Sequence, residues 1–304
     1  MKRQTTPQFK KASLILTADW HLREDTPICR TDDFQSAQWE KVDFISELQE
    51  KHDCLVIHSG DLFNHWKPSP YLLTKTIEHL PSNFYTIYGN HDLPQHNLQL
   101  IEKTGVHTLQ TAMAVNTFKY IELTKAGFNI IGLNWGQTPE QIPEEFKGGV
   151  LVWHTMTWAN DLPYPGCPDP SSLKILKKYK EYKLIVTGHN HKSFVTYEDD
   201  RILVNPGSLT RQDADQTDHM PCVFLWYAED NSVQRVSLPY NDDVITRQHI
   251  ENKEVRDNRI TAFISRLNND WKASVSFEHN IDIFFKENNI RESVKSIVLN
   301  AIES

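Results

Sequence analysis

The sequence predicts an α/β protein built as a layered sandwich of two sheets. In about the first 210 residues, short β-rich apolar runs alternate with segments whose apolar residues recur at helical spacing. Strand–helix–strand order of this kind is typical of parallel strands, which need a crossover helix between them. Later strands follow one another directly, and this indicates a second, mixed sheet.

The elements are predicted in chain order. Residues 13–18 form a strand, Thr31 to Asp33 offer an N-cap for the first helix, and residues 54–58 form the second strand. A helix over 70–80 ends at Pro81, and a third strand covers 84–88. Further strands are predicted at residues 118–123, 129–133, 150–153, 183–186, 194–197 and 202–204.

The pattern changes after residue 210. Residues 222–227 and 233–238 flank a polar turn and predict a hairpin, and from about residue 246 the chain is helical. We therefore expect three parts: a core over 1–210, a small hairpin extension over 211–245, and a helical region over 246–304.

Charge and cysteine content limit the class of protein. The chain of 304 residues has 40 acidic and 32 basic side chains and a net charge of −8, so it is not a generally basic nucleic-acid-wrapping protein. Four cysteines without a CxxC spacing are typical of a reducing cytoplasm. No apolar run approaches the roughly 18 residues of a membrane span. We expect a cytoplasmic protein without a membrane segment.

Polar side chains follow five of the predicted strands at the point where each strand ends. Because the carboxyl ends of strands in an open α/β sheet meet at one crevice, we expect seven of these side chains to converge. They are Asp19, His21, Asp61, Asn90, His154, His189 and His191.

So many imidazoles and carboxylates in one crevice would repel one another and lose hydration, and divalent cations remove that cost. Imidazole, carboxylate and amide oxygen without thiolate suit manganese, iron or zinc, and magnesium less well. Seven ligands exceed one site that keeps open positions for water. The sequence therefore predicts two divalent ions, with one carboxylate bridging them.

Taken together and in order, the motifs Asp-x-His (19–21), Gly-Asp (60–61), Gly-Asn-His-Asp (89–92), His154 and Gly-His-x-His (188–191) resemble the complete motif series of the calcineurin-like metallophosphoesterases. The resemblance spans about residues 12–210. It implies a two-sheet αββα sandwich, here with a small C-terminal hairpin and a helical appendage, and a dinuclear site in which manganese is the first expectation.

The same resemblance implies a role for each motif residue. One ion takes Asp19, His21 and His191; the other takes Asn90, His154 and His189; Asp61 bridges them. It also implies that His91 is the catalytic histidine outside the ligand set, and we expect Asp92 to orient it.

Two further segments resemble the SbcD-like branch of double-strand-break-repair nucleases: residues 60–69 (GDLFNHWKPS) and 205–208 (NPGS). That resemblance implies a DNA exonuclease or endonuclease subunit acting on single- or double-stranded DNA, a homodimer, and an SbcC-like ATPase partner. The apolar stripes of the C-terminal helices, with Phe277, Ile281 and Phe284, would either dock on the core of this chain or grip the coiled coil of the partner. The segment after residue 210 is short for the DNA-capping region of that branch, and this puts DNA-end specificity in question.

Candidate substrate contacts lie near these motifs. Asn64 and His65 stand where some members have a substrate-positioning histidine, and Lys67 and Arg23 are placed to meet phosphates. Trp158, with Tyr164, follows His154 and could stack on a base.

Two alternatives remain open at this point. One is a phosphatase, or a phosphodiesterase for small molecules or cyclic nucleotides, on the same dinuclear site. The other is a non-catalytic adaptor with a vestigial site, against which the intact ligand set argues.

Overall fold

The computed structural model describes residues 10–123, 127–269 and 277–302, except for the side chains of residues 123, 263–269, 277 and 278. The chain divides into two compact units, residues 1–246 and 247–304.

The strands of the first unit lie close to their predicted positions. They are β1 (Leu14–Thr17), β2 (Leu55–His58), β3 (Phe84–Thr86), β4 (Asn116–Thr117), β5 (Tyr120–Leu123), β6 (Phe128–Leu133), β7 (Gly149–His154), β8 (Tyr182–Gly188), β9 (Phe194–Glu198), β10 (Arg201–Asn205), β11 (Cys222–Tyr227) and β12 (Ser232–Ser237). The helices are α1 (Phe34–His52), α2 (Pro70–His79), α3 (Gly105–Thr111) and α4 (Ser172–Lys178), followed in the second unit by α5 (Gln248–Asn269), α6 (Phe277–Glu287) and α7 (Glu292–Ile302).

The described strands form two six-stranded sheets, and the predicted two-sheet α/β fold is confirmed. The first has the order β12-β11-β1-β2-β3-β4 and the second β5-β6-β7-β8-β10-β9. In the first sheet, β1 to β4 are parallel neighbours; in the second, β6, β7, β8 and β10 are. Both sheets are mixed, because β11, β12, β5 and β9 run antiparallel to their neighbours.

Strand alternation produces the layers. Leu14 and Leu16 of β1 share a buried cluster with Val150 and Val152 of β7, and this cluster is the core between the sheets. Ile15 faces the opposite way into a cluster with residues of α1 to α3. A third cluster places α4 against the outer face of the second sheet. Since side chains alternate along a strand, a single register fixes which residues are in each layer.

The hairpin is part of the sandwich. Residues 211–245 were expected to form a small hairpin extension; the β11–β12 hairpin is present, β11 pairs with β1 over Leu14 to Leu16, and β12 lies outside β11. The reason is that β11 is buried along its whole length and supplies apolar side chains to both faces of the first sheet.

Local capping sets the ends of the first two helices. Asp33 accepts a hydrogen bond from the Ser36 N–H at the start of α1, as the predicted N-cap requires. Ser69 caps α2 in the same way, and Pro70 occupies the first helical position, where its missing N–H costs nothing.

The described helices of the second unit are α5, α6 and α7. In α6, Ile281 is buried and Phe284 is half-buried, whereas the side chain of Phe277 lies outside the described residues. Among the helices that the structure describes, none is both long enough and apolar enough to cross a membrane.

Candidate metal centre

The seven predicted ligands come together at the carboxyl ends of five strands. Asp19 and His21 follow β1, Asp61 follows β2, Asn90 follows β3, His154 ends β7, and His189 and His191 follow β8. The pairing of β1 with β2 in one sheet and of β7 with β8 in the other brings these ends to the same edge of the sandwich. Four of these side chains (Asp19, His21, Asp61 and His154) are at most 3% exposed.

Four of the eleven non-glycine residues with positive φ among those described lie in these loops. Asp19, His21, Asp61 and His189 all have positive φ angles, of 47°, 45°, 60° and 86°. Non-glycine residues rarely adopt this region, and an L residue there costs of the order of 1–3 kcal/mol. The strain turns each side chain into the crevice directly after its strand, and its occurrence at four converging polar residues favours a functional site.

The first cluster contains Asp19, His21 and His191, whose ligand atoms all lie within 4.8 Å of one another. The Nε2 atoms of His21 and His191 are 3.0 Å apart. Two neutral imidazole nitrogens that both offer lone pairs repel at this distance, so the pair requires a proton or a metal ion between its lone pairs.

The second cluster contains His154 and His189 with the amide of Asn90. His154 Nδ1 donates to the Ser59 carbonyl at 2.7 Å, so the Nε2 of a neutral ring carries the lone pair. That lone pair faces the Asn90 Oδ1 at 3.0 Å, and His189 Nδ1 is 2.8 Å from the same oxygen. Acceptors directed at one another fit a cation, and the carbonyl partner on Nδ1 is the usual support of a metal-bound histidine.

Asp61 lies between the two clusters. Its Oδ1 accepts the His91 backbone N–H at 2.7 Å. Its Oδ2 is buried, has no hydrogen-bond partner among the described residues, and lies 3.4 Å from His154 Nε2 and 3.7 Å from His21 Nε2. A buried carboxylate oxygen without a donor is costly, and two divalent ions on either side would satisfy it. These donors therefore fit a dinuclear centre.

The electrostatics agree with this fit. Burial lowers the pKa of His21 well below its ordinary value and that of His189 to about 4, so both rings are neutral. Burial opposes charge on His154 as well, but the Asp61 carboxylate raises its pKa to about 9. Burial also acts against the Asp61 charge, and His154 lowers the pKa of that carboxyl below its usual range. The Asp61 charge is therefore stabilised by a cation at the His154 position, either a proton on Nε2 or a divalent ion in its place.

Glycine at two positions allows the close backbone approach. A Cβ at Gly60 would lie 2.5 Å from His154 Nδ1, and one at Gly188 would lie 2.6 Å from the Ser59 carbonyl oxygen. The Gly-Asp and Gly-His motifs are therefore required by packing as well as by chemistry.

His91 is exposed at the edge of the centre, and one of its ring nitrogens lies within 4.8 Å of ligand atoms of His21 and Asp61. Its Nδ1 is 2.9 Å from the Asn64 carbonyl oxygen, which fixes the ring.

The expectation that Asp92 orients His91 is wrong. The Asp92 carboxylate accepts four backbone N–H groups, from Asp61, Leu62, Phe63 and Gly89, at 2.8 to 3.3 Å. Burial and the neighbouring Asp61 raise the pKa of Asp92 to about 7, while hydrogen bonds from the backbone act in the opposite direction. Asp92 ties the loop after β2 to the loop after β3, and the Asn64 main chain takes the orienting role.

Some of the predicted substrate contacts are already engaged by other side chains, and others are exposed. Arg23 forms a bidentate ion pair with Asp25 and also donates to Gln212, so its guanidinium is already engaged. His65 and Lys67 are exposed, and His65 Nδ1 accepts the Lys67 backbone N–H at 3.2 Å. Within the described residues, Lys67 forms no ion pair, and its ammonium group remains a candidate phosphate contact.

The aromatic side chains beside the centre are not the predicted Trp158. Trp158 donates its indole N–H to the Asp169 carbonyl and packs in the loop. A cavity of about 370 Å³ beside His154 and His189 is lined instead by Tyr164, Trp153 and Trp135.

Trp135 was missed by the sequence analysis. Its ring centroid is 4.7 Å from that of His189, so it forms a wall of the centre. The signal was present, because Trp135 follows β6, a strand whose carboxyl end is at the same edge as those of β7 and β8.

The segment Asn205 to Ser208 supports the His191 loop. The Asn205 amide donates to the carbonyls of Asn190 and Lys192 at 2.5 and 2.8 Å, and the Ser208 N–H donates to the His191 carbonyl at 3.1 Å. Gly207, at φ 78°, approaches the same carbonyl so closely that a Cβ would lie 2.7 Å from it. This motif therefore positions a candidate ligand.

Comparison with known proteins agrees with this geometry. A family model described as calcineurin-like phosphoesterase matches residues 12–193.

Among solved structures, the chain is similar to an archaeal phosphodiesterase at 14% identity, with 74% of this chain and 99% of that chain covered and a TM-score of 0.41. It is similar to a phosphopantetheinyl hydrolase of Mycobacterium tuberculosis at 14% identity, with 74% and 96% covered and a TM-score of 0.43. A protein of Thermus thermophilus matches at 12% identity, with 76% and 100% covered and a TM-score of 0.44.

Proposed function

The chain belongs to the calcineurin-like phosphoesterase family, and from that premise we propose that it is a metal-dependent phosphodiester hydrolase that cleaves DNA. The observation that carries the hydrolytic part of the proposal is the shared carboxylate. Asp61 presents to both histidine clusters one buried oxygen that has no hydrogen-bond donor among the described residues. Phosphatases and nucleases that use a two-metal site hold two adjacent cations that clamp the attacking and leaving oxygens.

Asp19, His21 and His191 would hold one ion; Asn90, His154 and His189 would hold the other; Asp61 would bridge them. Bound there, a pair of divalent ions would lower the pKa of a water and neutralise charge on the phosphoryl oxygens. Manganese is the ion that we propose, with iron, zinc or magnesium as alternatives.

His91 would act on the substrate from the exposed side of the centre. When its Nδ1–H donates to the Asn64 carbonyl, a protonated Nε2 can give its proton to the leaving oxygen. The His91 main-chain N–H separately holds Asp61 Oδ1. One residue therefore places the bridging carboxylate through its backbone and serves the leaving group through its ring.

DNA as the substrate is supported by the resemblance of residues 60–69 and 205–208 to the SbcD-like nucleases and by the surroundings of the centre. The cavity beside His154 and His189 has aromatic walls in Trp135 and Tyr164, and aromatic rings stack on bases without regard to sequence. Lys67, three residues after Asn64, adds an exposed cation that forms no ion pair among the described residues.

An SbcCD-like assembly is the corresponding proposal for partners. It comprises a homodimer and an ATPase bound by α5 to α7, in the cytoplasm. Co-purification of the full chain with such an ATPase, and loss of co-purification on removal of residues 247–304, would test it.

The activity is tested with purified protein and Mn²⁺ on linear single- and double-stranded DNA, beside cyclic nucleotides, a phosphoprotein and an artificial diester. Metal-dependent DNA products support the proposal. Turnover of small diesters or monoesters alone would replace it with a phosphatase or small-molecule phosphodiesterase function. Bound metal without turnover of any substrate would favour an adaptor. The Asp61→Asn variant serves as the control for contaminating nuclease.

A further inference from the structure

We propose that the first unit carries a second anion site, separate from the metal centre, that binds a phosphate-sized oxyanion between α1 and the loops flanking the β11–β12 hairpin. A cavity of about 190 Å³ lies there. Three cationic side chains line it: Arg30 and Lys41, near each other in the chain, and the distant Arg211.

Lys41 is the central observation. Its side chain lies in the middle of α1 and the residue is only 2% exposed. The ammonium group donates to the Ala37 carbonyl at 2.9 Å, and among the described residues no carboxylate lies within 4 Å of it. An ammonium has three N–H donors, so two remain for a ligand in the cavity. A buried cation with so few partners is costly unless an anion joins it.

Arg211 is held in place by main-chain carbonyls, and among the described residues no carboxylate lies within 4 Å of its guanidinium. Its guanidinium donates to the carbonyls of Thr217 and Asp242 at 3.3 and 3.1 Å and to that of Asn241. These acceptors are uncharged. They orient the positive charge, whereas only an anion would balance it.

Two carboxylates also line the cavity. Asp32 is occupied, because Arg30 grips both of its oxygens at 2.7 and 2.6 Å. Glu40 is exposed, one residue before Lys41. Among the side chains that line the cavity, the Asp32–Arg30 pair cancels and Lys41 and Arg211 face Glu40, which leaves a net positive lining; Asp242, outside the lining, acts on Arg211 as well. Burial and Arg30 lower the pKa of Lys41 to about 8, and burial and Arg30 also lower that of Arg211, as mutual repulsion among cations requires.

The site is near the metal centre but shares none of its ligands. Arg211 lies between Leu209, whose N–H donates to the Asp19 carbonyl, and Gln212, whose amide donates to the His21 carbonyl. The cavity has room for a tetrahedral oxyanion and some water, not for a duplex. Phosphate or sulfate is the chemistry it fits, either free or at the 5′ end of a strand.

The test is binding of inorganic phosphate and sulfate to the full-length, chelator-treated protein, measured by calorimetry and thermal shift against chloride at equal ionic strength. We expect Lys41→Met to weaken binding about tenfold, because a charge-assisted hydrogen bond is lost. Lys51→Met, a change of the same type at an exposed position of α1, should leave binding unchanged. Asp61→Asn should also leave it unchanged.

Glu40→Gln provides a second measurement on a surface residue whose replacement does not endanger folding. Removing that charge should tighten phosphate binding about threefold. Competition by a 5′-phosphorylated dinucleotide, and not by its unphosphorylated form, would identify a strand end as the source; its absence would identify the free ion. No binding in the wild type, or binding that Asp61→Asn abolishes and Lys41→Met leaves intact, would overturn the site.

Discussion

The metal centre and the rim around it differ in what holds their polar atoms. In the centre, His21 faces His191, His154 faces Asn90, and Asp61 faces both clusters. At the rim, Arg23 is paired with Asp25, while His65 and Lys67 are exposed. The comparison indicates that strand topology positions the side chains of the centre, whereas pairing within each loop determines which side chains of the rim are free.

The largest effect is expected at the shared carboxylate. Asp61→Asn removes the negative charge between the clusters, so we expect loss of at least one ion per chain and a rate loss of roughly 10³-fold or more. Elemental analysis measures the metal content, and hydrolysis of an artificial diester with Mn²⁺ measures the rate. A variant that keeps two ions and ordinary turnover would contradict the central place of Asp61.

His91→Ala separates ring from backbone at one position. The N–H that holds Asp61 remains, so we expect both ions to stay bound while the rate falls roughly 10²–10⁴-fold. Metal content beside the rate constant decides the matter. If an ion is lost along with activity, His91 is a ligand and not the proton donor.

Asp92→Asn tests whether that carboxylate supports the loops. One oxygen that accepts an N–H becomes a donor, so we expect a loss of about 2 kcal/mol in the free energy of unfolding, measured with urea. The pH profile of the remaining activity should keep the shape seen in the wild type. A changed profile with unchanged stability would return Asp92 to the role of orienting His91.

His58 is a buried histidine of β2 outside the ligand set, and it makes stability depend on pH. Burial lowers its pKa from 6.5 to about 3, so below pH 6.5 the unfolded chain binds a proton that the native chain does not. The free energy of unfolding is unaffected by His58 well above pH 6.5, and protonation of the unfolded chain lowers it by about 2 kcal/mol on acidification to pH 5. His58→Phe should lose this part of the slope in urea titrations at several pH values. If the free energy of unfolding depends on pH equally in both proteins, the pKa of His58 is not lowered by folding.

The smallest effects are expected at the rim. Lys67→Ala should raise KM for DNA a few-fold, more at low salt, and leave turnover of a small diester unchanged. Arg23→Ala should change neither, because Asp25 already holds its guanidinium. Steady-state kinetics at two salt concentrations compare the two variants. A larger change in KM for Arg23→Ala than for Lys67→Ala would contradict this prediction.

Local pattern was enough to predict most of the strands and the seven ligand candidates. β8 and β10, for example, are apolar runs bounded by turns, and every ligand candidate ends a strand or lies within four residues after one. Short elements were missed: β4 has two residues and α3 has seven, too few to show a period.

The sequence by itself determined that polar residues of these types end five strands, because strand length and side-chain alternation are local properties. Only the tertiary structure decided which atoms meet. Asp92 accepts hydrogen bonds from the backbone of residues 61–63, and the Asn64 carbonyl orients His91. Trp135 packs against His189 in the wall of the centre, and β11 pairs with β1 in the first sheet. Each of these depends on contacts between segments that are distant in the chain, and the energy of such contacts depends on packing and hydrogen-bond geometry that no local pattern encodes.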